Sequence, residues 1–228
     1  MNRFLLQISH RGLRNRSDNL SNTVKHIVSA SIFAAIAFSA NAQTISIDDM
    51  GKLDPSRMAA GRYRLDTHHS HVEYDVDHFG ISRYHGLVGG MAGRLQIDPD
   101  RPSAASVDIE IPIEGLLSTT EALDAHLKTE DFFDVKTFPA ARFRSVSISA
   151  TGTNAVIKGE LTLHGVTRPV ALRTRLIGVA VNPMSQLTSA GFEATTRIKR
   201  SEFGVAYLVP FISDEVQLRI TATFEKDE

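Results

Sequence analysis

Five histidines crowd one short stretch: His68, His69, His71, His78 and His85, interleaved with Glu73, Asp75 and Asp77. Residues two apart on an extended strand project from one face, so His69 and His71 offer a pair of imidazole ligands for zinc or copper. A third and fourth ligand would have to come from elsewhere, and His78 falls in the opposite phase, so no metal site is assigned. Asp124 and His126 look like half of a catalytic pair, but no nucleophile can be set beside them at triad geometry. Helix capping, with docking of the stretch Asp131–Asp134, accounts for both. Arg200 ends a strand in its inward phase, where a guanidinium could receive a phosphate or another anionic head group; the competing reading is an ion pair with Glu202 or Asp214. Arg173, Arg175, Arg197 and Lys199 lie in outward phases and pair more simply with exposed acids. The chain has no cysteine, which excludes thiolate chemistry, disulfides and cysteine zinc sites. No catalytic residue is assigned.

These residues are carried by strands. From Ser70 to His78 every second residue (Val72, Tyr74, Val76) is apolar while those between are polar, the signature of a strand with one dry face. This first strand runs from about 63 to 78, and the second from about 82 to 98. Gly86, Gly89, Gly90 and Gly93 in the second predict bulges or sharp coiling before Leu95 and Ile97. The third carries Val107, Ile109, Ile111 and Ile113 on its dry side. A capping box, Ser118 to Glu121, then opens one short helix through Leu127, ending near Phe132 and Phe133. Strands resume at 141–149, where the dry phase moves from Phe143 to Val146 and Ile148, which implies a bulge near Ser145. The fifth presents Ile157 and Leu161. The sixth, beyond a tight connection at His164-Gly165, presents Leu172, Thr174 and Leu176. The seventh presents Phe192, Ala194, Thr196 and Ile198, and the eighth Val216, Leu218 and Ile220. Eight sequential antiparallel strands with one short helix between strands three and four predict an all-β fold. Several strands run about ten residues, longer than the five or six usual in a sandwich, which favours an eight-stranded antiparallel barrel.

Residues 1–42 read as an export signal. Val28–Ser39 is an apolar run too short to span a bilayer, preceded by four arginines and Lys25 and followed by Ala40-Asn41-Ala42. A start downstream of Met1 or an Arg-rich transit peptide is the alternative. Removing this segment takes away five basic residues and one acid, moving the formal net charge from −1 to −5, and a mildly acidic surface argues against nucleic acid as a partner. Residues 43–60 form an N-terminal arm with a helix start at Asp54-Pro55. Residues 61–228 form one domain.

An eight-stranded barrel is either filled by its own side chains or wide enough for one ligand. Small inward residues (Gly93, Ala141, Ala155, Gly159, Thr174, Ala194) fit a tapering core or a lined tunnel, and the periodicity leaves both open. An apolar tunnel favours long lipid chains, because burying a methylene contributes about 0.8 kcal/mol against an association cost on the order of 4–15 kcal/mol.

From Gly61 onward the chain resembles the YceI-like family of exported polyisoprenoid-binding proteins. The matching stretches include Tyr63-x-Leu65-Asp66, His69-Ser70 with Val72, Tyr74, Val76 and His78, and Asp124-x-His126-Leu127 followed by Asp131-Phe132-Phe133-Asp134. They continue through Gly159-x-Leu161-Thr162-Leu163-His164-Gly165 and Arg200-Ser201-x-Phe203-Gly204. After Gly86 the family commonly has an aromatic in a Gly-x-Phe pattern, where this chain has Leu87 and Val88. The resemblance implies a lipocalin-like extended barrel in the periplasm, with no enzymatic activity and no cofactor beyond a bound isoprenoid lipid, polyprenyl or quinone-like. The expected lining is Val72, Tyr74, Val76, His78, Leu95, Ile97, Val107, Ile109, Ile111, Phe132, Phe133, Phe143, Ile157, Leu161, Leu172, Phe192, Ile198, Arg200, Phe203, Leu218 and Ile220. A homodimer stays open, as does a metal-dependent or stress-related role for the His68–His78 region.

Overall fold

The computed structural model describes residues 46–47 and 50–227; the export signal read at residues 1–42 lies outside them. Eleven strand segments follow in chain order: β1 (Gly61–Leu65), β2 (His71–His78), β3 (Ser82–Val88), β4 (Ala92–Ile97), β5 (Ser106–Pro112), β6 (Leu116–Leu117), β7 (Ala140–Thr151), β8 (Asn154–Leu163), β9 (Val166–Val181), β10 (Thr188–Lys199) and β11 (Glu215–Lys226). They pair in the order β1-β4-β5-β7-β8-β9-β10-β11-β2-β3-β6, and β1 also pairs with β11, which closes an antiparallel barrel.

Eleven segments make eight long strands. β1 and β2 run against successive stretches of β11, with Leu65 opposite Phe224 and His71 opposite Thr221. β3 pairs with β2 and β4 with β1, so they too are one strand with a break. β6 prolongs β5 in the same way. Periodicity alone reads 63–78 and 82–98 as continuous; the first break is a correction, and the second falls among the glycines from which bulging or sharp coiling was expected. At the first, Asp66 Oδ1 accepts from the His68 amide at 2.9 Å and its Oδ2 meets His69 Nδ1 at 2.6 Å, turning the chain outward. Buried Ser70 then ties the loop back: its Oγ accepts from the Thr223 amide at 3.0 Å. At the second, Gly90 takes φ 75°, a left-handed conformation open to glycine.

The bulge falls where the phase change puts it, between Ser145 and Ser147. Val146, expected inside, is the looped-out residue and is 72 % exposed, while Ser145 Oγ accepts from the Val107 amide of β5 at 2.9 Å. His164 (φ 49°) and Gly165 (φ 73°) make the two-residue turn between β8 and β9. The helix α1 (Glu121–Leu127) is capped by Thr120, whose side chain accepts from the Leu123 amide, so the cap lies two residues beyond Ser118. Ser118 is engaged instead in a local turn with Thr120.

The arm joins the barrel at a defined place. Asp54 caps a 3-10 turn at Pro55–Arg57. Lys52 exchanges backbone hydrogen bonds of 3.0 and 2.9 Å with Val179 of β9. The approach is tight on the β9 side: a Cβ on Gly178 would stand 3.3 Å from the Gly51 carbonyl carbon, whereas one on Gly51 would meet Gly178 at an ordinary 3.6 Å.

Candidate functional site

The dry faces of the eight strands do not fill the barrel. Two apolar chambers of about 390 and about 220 Å³ lie inside it, and both are lined by Val72 and Ile111, where they abut. Volumes of this size, taken in tandem, fall in the range of roughly 300–1,000 Å³ typical of ligand pockets.

The larger chamber is walled by Leu95, Ile97, Val107, Ile109, Phe143, Ile157, Leu172, Phe192 and Ile220. It ends at the β4–β5 connection (Pro99, Pro102, Ala105), the β7–β8 turn (Gly152 to Asn154) and the arm, from which Pro55 and buried Met58 reach in. The smaller is walled by Tyr74, Val76, His78, Leu161, Ile198 and Leu218, with Phe132, Phe133, Leu123 and Leu127 from α1 and the segment after it closing one side. Val88 also lines it, a smaller side chain than the aromatic common after Gly86 in the family pattern, and Leu87 points to solvent. Of the expected lining, Phe203 is the residue that touches neither chamber; it is 1 % exposed and packs with Leu161, Leu163 and Val88 in the core around the smaller one. The reason is its place in the 3-10 turn Arg200–Phe203, which takes it out of strand phase.

Arg200 departs from both sequence readings. Its guanidinium donates to four backbone carbonyls: Nε to Ser213 (3.0 Å), Nη1 to Val205 (3.0 Å) and Tyr207 (2.9 Å), and Nη2 to Ile212 (2.9 Å). Asp214, the candidate ion-pair partner, instead accepts from the Ser201 amide and hydroxyl. Burial holds the Arg200 pKa below the usual arginine value, with the charge of Asp214 opposing. The residue therefore organises the 205–213 loop at the end of the smaller chamber.

The histidines are dispersed. His69 lies in the turn before β2, not on a strand face shared with His71, and pairs with Asp66; His71 is 3.4 Å from Glu73 and His85 2.7 Å from Asp75. His78 lines the smaller chamber. Among the described residues no three His, Asp or Glu side chains converge as ligands for an ion. Asp124 accepts from the Ser118 amide and does not cap α1, whose N-cap is Thr120, while His126 Nε2 is 2.9 Å from Asp131 and docks the segment after α1.

Burial pushes the Tyr74 phenol up to about 12, and its hydroxyl donates to the Leu117 carbonyl at 3.3 Å. Gly86, opposite Tyr74 in register, makes room for that reach: a Cβ there would collide with the phenol oxygen and with the Leu117 carbonyl.

The YceI-like domain family matches residues 63–224. The chain belongs to the YceI-like family. A UPF0312 protein of Pseudomonas putida is 33 % identical over 156 residues, covering 67 % of this chain and 81 % of that protein. Among solved structures, Burkholderia cenocepacia BcnA superposes with a TM-score of 0.63 at 22 % identity, over 70 % of this chain and 98 % of that one. A polyisoprenoid binding domain from Saccharophagus degradans superposes with a TM-score of 0.54 at 14 % identity, over 72 % of this chain and 98 % of that one. At these identities the two structures establish the shared fold. Within this YceI-like barrel, Met58, Met91, Leu123, Leu127, Val205 and Ile212 are lining residues that strand periodicity does not reach. Leu123 and Leu127 carried a usable signal, since a spacing of four on a helix sets both on one face; an isolated Met58 in an arm carried none.

Proposed function

We propose that this YceI-like protein is a periplasmic carrier that holds a long-chain isoprenoid lipid, polyprenyl or quinone-like, along its two chambers and catalyses no reaction. The observation that carries the reading is the pair of abutting apolar chambers through the barrel, walled by Ile, Leu, Val and Phe. The fold shared with a domain described as polyisoprenoid binding supports it, and the export signal read at residues 1–42 supports the compartment. At about 0.8 kcal/mol per buried methylene, offsetting an association cost of 4–15 kcal/mol takes on the order of ten methylenes, so short solutes gain too little. The test is a titration of delipidated protein with prenols of increasing length. Affinity is expected to rise with each added prenyl unit until both chambers are occupied and then to level off. An affinity independent of chain length would refute the reading.

A further inference from the structure

The two chambers differ in what they can offer a head group. Among the described residues, the lining of the larger one contains no Lys, Arg, His, Asp or Glu. The lining of the smaller contains His78 and Arg200, and the Arg200 guanidinium is occupied by four carbonyls. A phosphate or diphosphate drawn inside would therefore be an ill-paired buried anion, which is strongly unfavourable.

The wall of the larger chamber does contain a buried hydroxyl. Thr174 on β9 stands opposite Ala155 on β8 and Ala194 on β10, and Ala155 stands opposite Ala150 on β7. All four line the chamber, and alanines on both sides of the threonine set the wall back around it. Thr174 Oγ1 is buried and has no hydrogen-bond partner among the described residues, a situation native interiors seldom leave. Rotation about χ1 exchanges hydroxyl and methyl at the wall, so the group can serve an oxygen placed in the recess. Asn154 and Thr153, at the adjacent turn, add polar atoms to the same end of the chamber.

We propose that the tunnel selects isoprenoids whose head group is uncharged and carries a hydroxyl or carbonyl oxygen, seated in the larger chamber beside Thr174, with the prenyl tail passing Val72 and Ile111 into the smaller one. The inference rests on the isoprenoid reading above and adds the chemistry of the head group. Equilibrium binding is measured with geranylgeraniol, geranylgeranyl diphosphate and the corresponding hydrocarbon lacking oxygen, on the wild-type protein and on Thr174→Val, which keeps the side-chain shape; a thermal melt checks that the variant is folded. The wild type is expected to bind the alcohol at least about tenfold more tightly than the diphosphate. Thr174→Val is expected to weaken the alcohol about fivefold and leave the hydrocarbon unchanged. Diphosphate binding as tight as the alcohol, or a Thr174→Val variant that binds the alcohol unchanged or loses both ligands equally, overturns the head-group assignment while leaving a lipid tunnel. Binding of none of the three overturns the isoprenoid reading itself.

Discussion

At the scale of single residues, Arg200 shows how far a side chain's role can stand from its chemistry in the abstract. A guanidinium in an inward phase invites an anion, yet its donors meet the carbonyls of Val205, Tyr207, Ile212 and Ser213, groups with no strand partners to satisfy them. Arg200→Met would leave these carbonyls without their donor. Removing a buried donor costs about 1–3 kcal/mol for each group left unmatched, so the variant is expected to lose about 3 kcal/mol or more in urea unfolding. Arg200→Lys should recover only a small part, because an ammonium lacks the planar fork that reaches carbonyls on several sides. A variant as stable as the wild type would show that the loop holds itself. The inward phase of Arg200 was readable in the sequence; the fan of carbonyls was not, since it depends on a loop that closes onto the arginine from five to thirteen residues downstream.

At the scale of elements, what was legible is what depends on neighbours along the chain. Alternation marks Val72, Tyr74 and Val76 or Ile109 and Ile111 as one face because side chains alternate along a strand, whatever the partner strand. The phase slip at Ser145 was readable for the same reason. Irregularity at 89–91 was signalled by the run of glycines, whereas the break at 66–70 was not legible, because the loop is tied back by Thr223 of β11. Charge across the barrel wall gives the elements a pH dependence. Asp108 on β5 accepts from Arg142 Nε and Nη2 at 2.8 and 2.6 Å and from Arg144 Nε at 3.1 Å, both on β7. The Arg142 hydrogen bonds hold its carboxyl below the usual carboxylate range, with burial opposing and Arg144 adding to the effect. A depressed native pKa means the β5–β7 clamp is fully present above the unfolded Asp value of about 4 and is lost as pH falls through the lower native value. Asp108→Asn is therefore expected to lower Tm at pH 7 by a few degrees at most, since the pair is solvent-screened, and the gap to the wild type should close in acid. A gap that stays constant with pH would exclude this ionisation as its source.

At the scale of the whole molecule, closure of the sheet was legible from eight long strands in series, but the choice between a filled and a hollow interior was not. That choice turns on strand stagger, on side-chain packing and on elements outside the strand repeat. Here the arm contributes Pro55 and Met58 to one end and α1 contributes Leu123 and Leu127 to the other, so the chambers are bounded by segments that carry no strand periodicity. The central claim is that these chambers hold one long isoprenoid. The most direct measurement is native mass spectrometry of the purified protein, followed by solvent extraction and identification of any lipid released. The expected result is one isoprenoid per chain, lost on extraction and regained on addition of a long-chain prenol. A protein that carries no lipid and takes up none when offered would contradict the claim.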